Sequence, residues 1–434
     1  MRADDTIFAL SSGSLPAGLA VIRLSGSRAI SVLEKLAGPL PPARHASLRT
    51  IRRTDGSVID RGLAITFPAP HSFTGEDCVE LHLHGSRAVV SALYAELLSE
   101  NLRLAEAGEF SKRALENGKL DLVEAEGLSD LLRAETEMQR RLALEQSDGG
   151  LSAIYEGWAL ELTRARALIE AELDFADEDD VPGSVSDTVW MNVRRLKEEI
   201  EAQREATRSG EMIRDGFHVA IVGPPNVGKS SLLNALAKRD VAIVTEIAGT
   251  TRDVLHVDLD IDGFLVRFFD TAGIRETEDI VEREGIRRAH LVLERADLIL
   301  LLSEADQPLA QIDFPAAIPV WTIKTKSDFL RDLDGDFLGI STKTGDGLDE
   351  LKSAIVNSVA SRWEAIASLK PGRARHARLL ENTSNFIAEA LDGSQLDMQA
   401  ECLRLAAEEL GRITGKVDVE HLLDIIFSEF CIGK

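Results

Sequence analysis

The chain has 434 residues, with 49 Lys and Arg against 73 Asp and Glu, a formal net charge of −24, 44% hydrophobic residues and 28% charged ones. That length exceeds one compact core and favours about three domains. The acidic balance argues against indiscriminate polyanion binding, since phosphate contacts supply most non-specific affinity, but leaves room for a local basic patch.

The start, Met1-Arg-Ala-Asp-Asp5, has no signal-peptide pattern, and the longest aliphatic run, Leu298 to Leu302, is far too short to span a bilayer. Cys78, Cys402 and Cys431 form neither a disulfide framework nor a metal spacing, which fits a reducing cytoplasm and no membrane partner. From residue 1 to about 118, short alternating stretches mix with turns. Ala20–Leu24 and Val79–Leu83 have the period of half-buried strands, and Gly38–Pro42 and Phe67–Pro70 read as loops. Glu80, His82 and His84 share the polar face of the second strand. A solvated face explains them. A metal set with His71 or Cys78 is the weaker alternative, because no spacing completes it.

From about 119 the apolar spacing turns helical, through Leu120, Val123, Leu128, Leu131 and Leu132, then Ile154, Trp158, Leu162 and Ile169. Asp177–Asp180 and Pro182-Gly183 interrupt it as a solvated loop, and the pattern resumes near 190 and ends near Gly210. Strand–loop–helix alternation follows. Phe217–Val222, Phe264–Phe269, Leu298–Leu302 and Val320–Ile323 read as core strands of an open, mainly parallel α/β sheet. After about 370 the chain is helical again.

Gly223-Pro-Pro-Asn-Val-Gly-Lys-Ser230 follows a strand and opens a helix, the context of a P-loop. Gly223, Asn226, Val227, Gly228, Lys229, Ser230 and Ser231 would wrap the phosphates. Lys229 would neutralise the β and γ phosphates, and the Ser230 hydroxyl would ligate magnesium. Asp270-Thr271-Ala272-Gly273 ends a strand, where Asp270 would hold magnesium through water and the Gly273 N–H would meet the γ-phosphate. Thr250 and Thr251 are candidates for the switch hydroxyl completing the magnesium shell, with Thr251 the choice. In Thr325-Lys326-Ser-Asp328 the carboxylate can accept from both N1–H and N2–H₂ of guanine, a donor pair adenine lacks. Ser341-Thr342-Lys343 would support the base, so the nucleotide is GTP. Thr325 stands where Asn is typical and predicts weaker affinity with unchanged specificity.

Ile274 occupies the place where many GTPases carry the Gln that orients the attacking water. Another group must do this, and Glu282 is a candidate whose alternative is a solvated charge in a loop. The Asn226 side-chain carbonyl can ligate a monovalent cation beside the phosphates, in the role of an arginine finger.

Together with Ala17–Gly26, Ser72–Asp77, Ala107–Ala114, Asn117–Leu122, Gly249–Asp253, Asp270–Glu276 and the terminal Cys431-Ile-Gly-Lys434, these motifs make the chain resemble the MnmE (TrmE) family of tRNA-modification GTPases. The resemblance implies a multidomain α/β and α+β protein. Residues 1–118 would be a tetrahydrofolate-binding-like α+β dimerisation domain, and 119–210 with 371–434 a discontinuous α-helical domain. Residues 211–370 would be an inserted P-loop GTPase domain. It further implies a homodimer and a flavoprotein partner, MnmG, in a heterotetramer or larger assembly. The tRNA substrate would gain an aminomethyl or carboxymethylaminomethyl group at carbon 5 of the wobble uridine, with carbon from 5-formyl- or 5,10-methylene-tetrahydrofolate.

Carried over, the folate contacts fall on Arg23, Glu80, Lys119 and Lys434, and the potassium ligands on Asn226, Thr245, Ile247 and Thr250. The catalytic roles fall on Glu282, which would position the hydrolytic water, and Lys229. Cys431 matches the terminal cysteine of the family. A thiolate beside a one-carbon unit could act as nucleophile, and a small apolar residue burying a helix is the alternative. A GTP-switched assembly factor is the competing class, but such proteins add a basic RNA-binding tail that this chain lacks.

Overall fold

The computed structural model describes residues 5–174, 185–239, 241–242, 256–270, 293–304, 314–316, 318–329, 337–364, 373–393, 395–417 and 433. The chain divides into two compact units. The first is Met1–Ser129, Ser147–Ala159 and Leu410–Lys434, and the second is Asp130–Gln146 and Leu160–Glu409.

The first unit holds strands β1 (Ile7–Leu10), β2 (Ala17–Ser25), β3 (Ser47–Arg52), β4 (Val58–Phe67), β5 (Cys78–Gly85) and β6 (Arg103–Leu104). They form one sheet in the order β3-β4-β5-β2-β1-β6, with only the β1–β6 pair parallel among those described. Strand alternation divides its side chains between two faces. Ala20, Ile22 and Leu24 with Val79, Leu81 and Leu83 are buried against helices α1 (Ala29–Ala37) and α2 (Arg87–Ser99). The other face takes Arg23, Glu80 and His82, as the alternation predicts. There a smaller cluster of Ile7, Ala9 and Ala105 meets Phe110 of helix α3 (Glu109–Glu116). Gly62 is required by close approach, since a Cβ there would lie 2.1 Å from the His82 carbonyl oxygen.

Helices α4 (Leu122–Arg133), α5 (Glu137–Ser147), α6 (Gly150–Asp174) and α7 (Val185–Asp215) follow. The start of α5 is set by Thr136 and Gln139. The Gln139 N–H donates to Thr136 Oγ1 at 3.4 Å, while the N–H groups of Glu135 and Thr136 donate to Gln139 Oε1 at 2.9 and 3.1 Å. Helix α7 does not stop at Gly210 but continues to Asp215. The residue that ends it is Gly216, at φ +90°. An interior glycine costs about 1 kcal/mol. Burying Ile213, 3% exposed, in the core beyond it is worth more, about 1.5–3 kcal/mol.

The second unit carries the predicted sheet. Its strands are β7 (Phe217–Val222), β8 (Val241–Ala242), β9 (His256–Ile261), β10 (Phe264–Asp270), β11 (Leu298–Glu304), β12 (Val320–Thr325) and β13 (Leu338–Ile340). Their order is β13-β12-β11-β7-β10-β9-β8. The pairs β7–β10, β7–β11, β11–β12 and β12–β13 are parallel, and β9 is antiparallel to both neighbours. Helix α8 (Lys229–Arg239) and helix α9 (Leu348–Glu364) close one face, through Leu232, Leu236, Leu351 and Ile355. Helices α10 (Ala374–Asp392) and α11 (Leu396–Thr414) complete the described chain, α10 packing along α7 with a Ser384 Oγ to Glu201 Oε1 hydrogen bond of 2.8 Å.

Candidate nucleotide cleft and polar strand face

Parallel strands bring their carboxyl ends to one edge of a sheet, where ligands of open α/β folds bind. Here β7 ends at the P-loop, β10 at Asp270, β12 at Thr325 to Asp328, and β13 at Ser341 to Lys343. Four stretches of chain far apart in sequence therefore converge.

The P-loop turns through Asn226 at φ +63° and Gly228 at φ +104°. Asn is among the few non-glycine residues that tolerate the left-handed region, and its side chain is exposed. Lys229 is 5% exposed, and its Nζ donates to the carbonyls of Gly223 and Pro224 at 2.9 and 2.8 Å. The ammonium thus stands over the loop, at the start of α8, where N–H groups lacking an intrahelical partner favour an anion. Ser230 and Ser231 are exposed on the first turn. Ser230 Oγ donates to Asp270 Oδ2 at 3.0 Å. A hydroxyl and a carboxylate this close are hard oxygen donors that fit magnesium, which takes few protein ligands and keeps several waters.

Thr325 is 3% exposed, and its hydroxyl donates to the carbonyl of Val227 at 2.7 Å, with Ser303 O at 3.3 Å. It ties the base end of the cleft to the P-loop, a role the sequence reading did not find. Asp328 is exposed, and Ser341 Oγ donates to its Oδ1 at 2.9 Å. Ser341 therefore acts through its side chain, orienting the carboxylate, while Thr342 and Lys343 are exposed beside it. Lys326 lies at φ +59° and its Nζ pairs with Glu304. Thr245, Ile247, Thr250, Thr251, Thr271, Ala272, Gly273, Ile274, Glu282, Cys431 and Lys434 lie outside the described residues.

In the first unit, the register Arg23↔Glu80 puts two predicted residues opposite each other. Arg23 Nε and Nη2 donate to Glu80 Oε1 at 3.1 and 2.9 Å, and His82 Nε2 lies 3.2 Å from Glu80 Oε2. The Arg23 guanidinium sits 5.3 Å from the Phe73 ring centroid and 5.7 Å from that of Phe110. A half-buried cation framed by two rings can receive a carboxylate or a planar polar heterocycle. The exposed Lys119 packs its stem against Gly75, two residues beyond Phe73. His84 pairs instead with Asp60 at 2.9 Å, and the buried Cys78 thiol is engaged by the hydroxyls of Thr74 at 3.1 Å and Ser25 at 3.4 Å, so the metal alternative fails. Among the described residues no group of three or more His, Cys, Asp and Glu side chains could hold a metal.

Phe110 is fixed by an ionic net. Arg113, with a 6% exposed side chain, donates to Asp5, Glu76 and Glu109, and Arg103 donates to Glu109 at 2.6 Å. Burial pushes Glu109 upward, but the Arg103 and Arg113 guanidiniums and the Glu106 N–H outweigh it and hold it below the usual carboxylate range. Gly433 of the terminal motif also has a seat on this unit. Ser11 Oγ donates to Gly433 O at 2.7 Å, and a Cβ on Gly433, at φ +107°, would lie 2.1 Å from Leu10 O. Only glycine fits there, a constraint that the four-residue signature did not reveal by itself.

No helix of the described residues is long and apolar enough to cross a membrane. The family model of the GTP-binding protein TrmE N-terminus matches residues 6–119, and that of the MnmE helical domain matches residues 122–431. The tRNA modification GTPase MnmE of Agrobacterium fabrum (strain C58) is 59% identical over 438 residues, covering 99% of each chain. That of Rhizobium etli (strain CIAT 652) is 58% identical over 435 residues, again covering 99% of each. Among solved structures, the G domain of the T. maritima FeoB iron transporter is 25% identical, covers 33% of this chain and 98% of its own, and has a TM-score of 0.24.

Proposed function

The chain belongs to the MnmE family of tRNA modification GTPases and is a GTP hydrolase acting in tRNA modification, and from that premise we propose how its residues divide the work. GTP lies along the carboxyl edge of the second unit's sheet. Lys229 and the P-loop N–H groups hold the phosphates, Ser230 and Asp270 hold magnesium, directly and through water, and Asp328, set by Ser341, accepts from guanine. The observation that carries this is the convergence of the Ser230–Asp270 pair and the Ser341–Asp328 pair on one sheet edge. Thr251 completes the magnesium shell, and Glu282 positions the hydrolytic water. Asn226, Thr245, Ile247 and Thr250 hold potassium, which supplies positive charge where it builds in the transition state.

The polar strand face of the first unit takes a tetrahydrofolate derivative, 5-formyl- or 5,10-methylene-tetrahydrofolate, through Arg23, Glu80, Lys119 and Lys434, with Cys431 nearby in the terminal motif. The cation–aromatic frame around Arg23 supports this reading. Two copies pair through their N-terminal domains, residues 1–118. Residues 119–210 and 371–434 form the helical domain around a GTPase domain of 211–370. With the flavoprotein MnmG, in the cytoplasm, the dimer installs the aminomethyl or carboxymethylaminomethyl group at carbon 5 of the wobble uridine. Nucleoside mass spectrometry of tRNA from cells lacking the chain tests this. Loss of the modified wobble uridine is expected, and an unchanged profile rejects the reading.

A further inference from the structure

An acidic enzyme that acts on tRNA must meet a polyanion somewhere. Residues 44–61 contain five arginines (Arg44, Arg49, Arg52, Arg53 and Arg61) and two aspartates, in a chain with 73 acidic and 49 basic residues. They make up the approach to β3, β3 itself, the turn after it and the start of β4, and β3 is the outer strand of its sheet among the described residues. Arg44, Arg52, Arg53 and Arg61 are exposed, and Arg49 is half-buried.

Arg44 donates to His71 O, Arg49 to Pro39 O and Leu48 O, and Arg52 to Gly56 O, all of them main-chain oxygens. Among the described residues none of the five forms an ion pair with a carboxylate. Asp60 is engaged by His84, and Asp55 by the hydroxyl and N–H of Ser57. Several other arginines are neutralised locally, Arg140 and Arg141 by Glu137, Arg195 by Glu161, and Arg404 by Glu401, while Arg28 and Arg87 also donate to main-chain oxygens but stand singly. Carbonyl bonds leave the guanidinium groups of Arg44, Arg49 and Arg52 without a carboxylate partner, and the charge of Asp55 acts on Arg53 from nearby. Charges on an edge strand also guard against edge-to-edge pairing. Carboxylates would do that equally well, yet β3 carries Arg49 and Arg52 and no acid.

We propose that this arginine ridge on β3 and its turn is a contact surface for the sugar–phosphate backbone of tRNA. The proposal rests on the tRNA-modification reading and adds where the RNA lies. The six residues of β3 span about 20 Å, enough for a few phosphates in line. Such contacts give affinity and orientation without sequence preference, which suits an enzyme whose specificity lies at the base it modifies.

The test uses the full-length protein with bulk deacylated bacterial tRNA as the probe, binding being followed by fluorescence anisotropy at several salt concentrations. In the triple variant Arg49→Ala, Arg52→Ala, Arg53→Ala, affinity near 0.1 M salt falls about tenfold or more, and the slope of log K against log salt falls by about 2 to 3. The charge-matched variant Arg166→Ala, Arg195→Ala, Arg404→Ala keeps both close to the parent values. Replacing the three ridge arginines by lysine restores the slope, and an unchanged thermal melt in every variant reports intact folding. Equal losses in the ridge and charge-matched variants overturn the proposal, because net charge then explains them. An unchanged slope in the ridge variant overturns it, as does a shift in oligomeric state with tRNA affinity intact, which makes the ridge a protein contact. A parent protein that binds no tRNA also overturns it, while the modification reading is judged separately by the nucleoside profile.

Discussion

Thr325→Val is close to isosteric and removes one hydroxyl from a buried place. The lost bonds are those to Val227 O at 2.7 Å and Ser303 O at 3.3 Å. The shorter one decides the effect, because at 3.3 Å an O–H···O contact contributes little. Leaving a buried acceptor without its donor costs about 1–3 kcal/mol. That loss falls on the link between the P-loop and the end of β12, so it appears both as lower stability and as weaker GTP binding. If about 1.4 kcal/mol of it reaches the bound state, affinity drops about tenfold. The preference for guanine over adenine stays, since it depends on Asp328. Titration of a fluorescent GDP analogue, with ATP as competitor and a thermal melt alongside, measures all three quantities. Unchanged affinity and melting would refute the strap. Loss of the guanine preference would refute the division of labour between Thr325 and Asp328.

Three further outcomes are expected. Ser341→Ala removes the donor at 2.9 Å from Asp328, which costs about 1 kcal/mol, or roughly fivefold in GTP affinity; equal affinity would leave Ser341 a loop residue only. GTP turnover in potassium exceeds that in sodium several-fold, by the charge argument, and equal rates would remove the cation role from Asn226. Glu109→Gln weakens the bonds to Arg103 and Arg113 and destabilises the first unit at pH 7 by about 2–3 kcal/mol. Because the Glu109 carboxyl is held below its ordinary range, that stability is present above about pH 4.3 and is lost as pH falls through the lower folded value. Melts from pH 7 to 3 should therefore show the parent and variant converging, and a constant gap would contradict the ionic account.

The sequence made legible whatever is local. Alternation at Ala20–Leu24 and Val79–Leu83, the apolar run Phe217–Val222 and the P-loop each announce their own conformation, and the structure bears them out. The pairing of Arg23 with Glu80 was half legible: parity put each on a polar face, but only the register made them neighbours. The side-chain partners of Thr325 and Ser341, Val227 and Asp328, are not legible in the sequence because they are chosen by sheet order. Gly210 misled because glycine is a helix stop only where the chain must enter the left-handed region, and that demand falls on Gly216. The ridge was hidden for a further reason. Arginines at 44–61 look like any solvated run until their partners are known.

Strand β10 connects two of these regions within the second unit. It begins at Phe264, next to the tight turn Asp262-Gly263, and the Gly263 carbonyl accepts from the Met138 N–H at the start of α5 at 3.0 Å. Met138 offers one of the N–H groups that a helix leaves without an intrahelical partner, and Glu137 Cβ would stand 3.5 Å from a Cβ on Gly263. The strand ends at Asp270, opposite Ser230. Its seven residues span about 20 Å. It is paired on both edges, to β7 and β9, and Arg267 holds Asp258 on β9 through two bonds of 2.8 and 2.9 Å. Bending such a strand would break ladder bonds on both sides, which stiffens it. The carboxylate of the nucleotide cleft thus stands at one end of a strand whose other end adjoins a turn bonded to the start of α5.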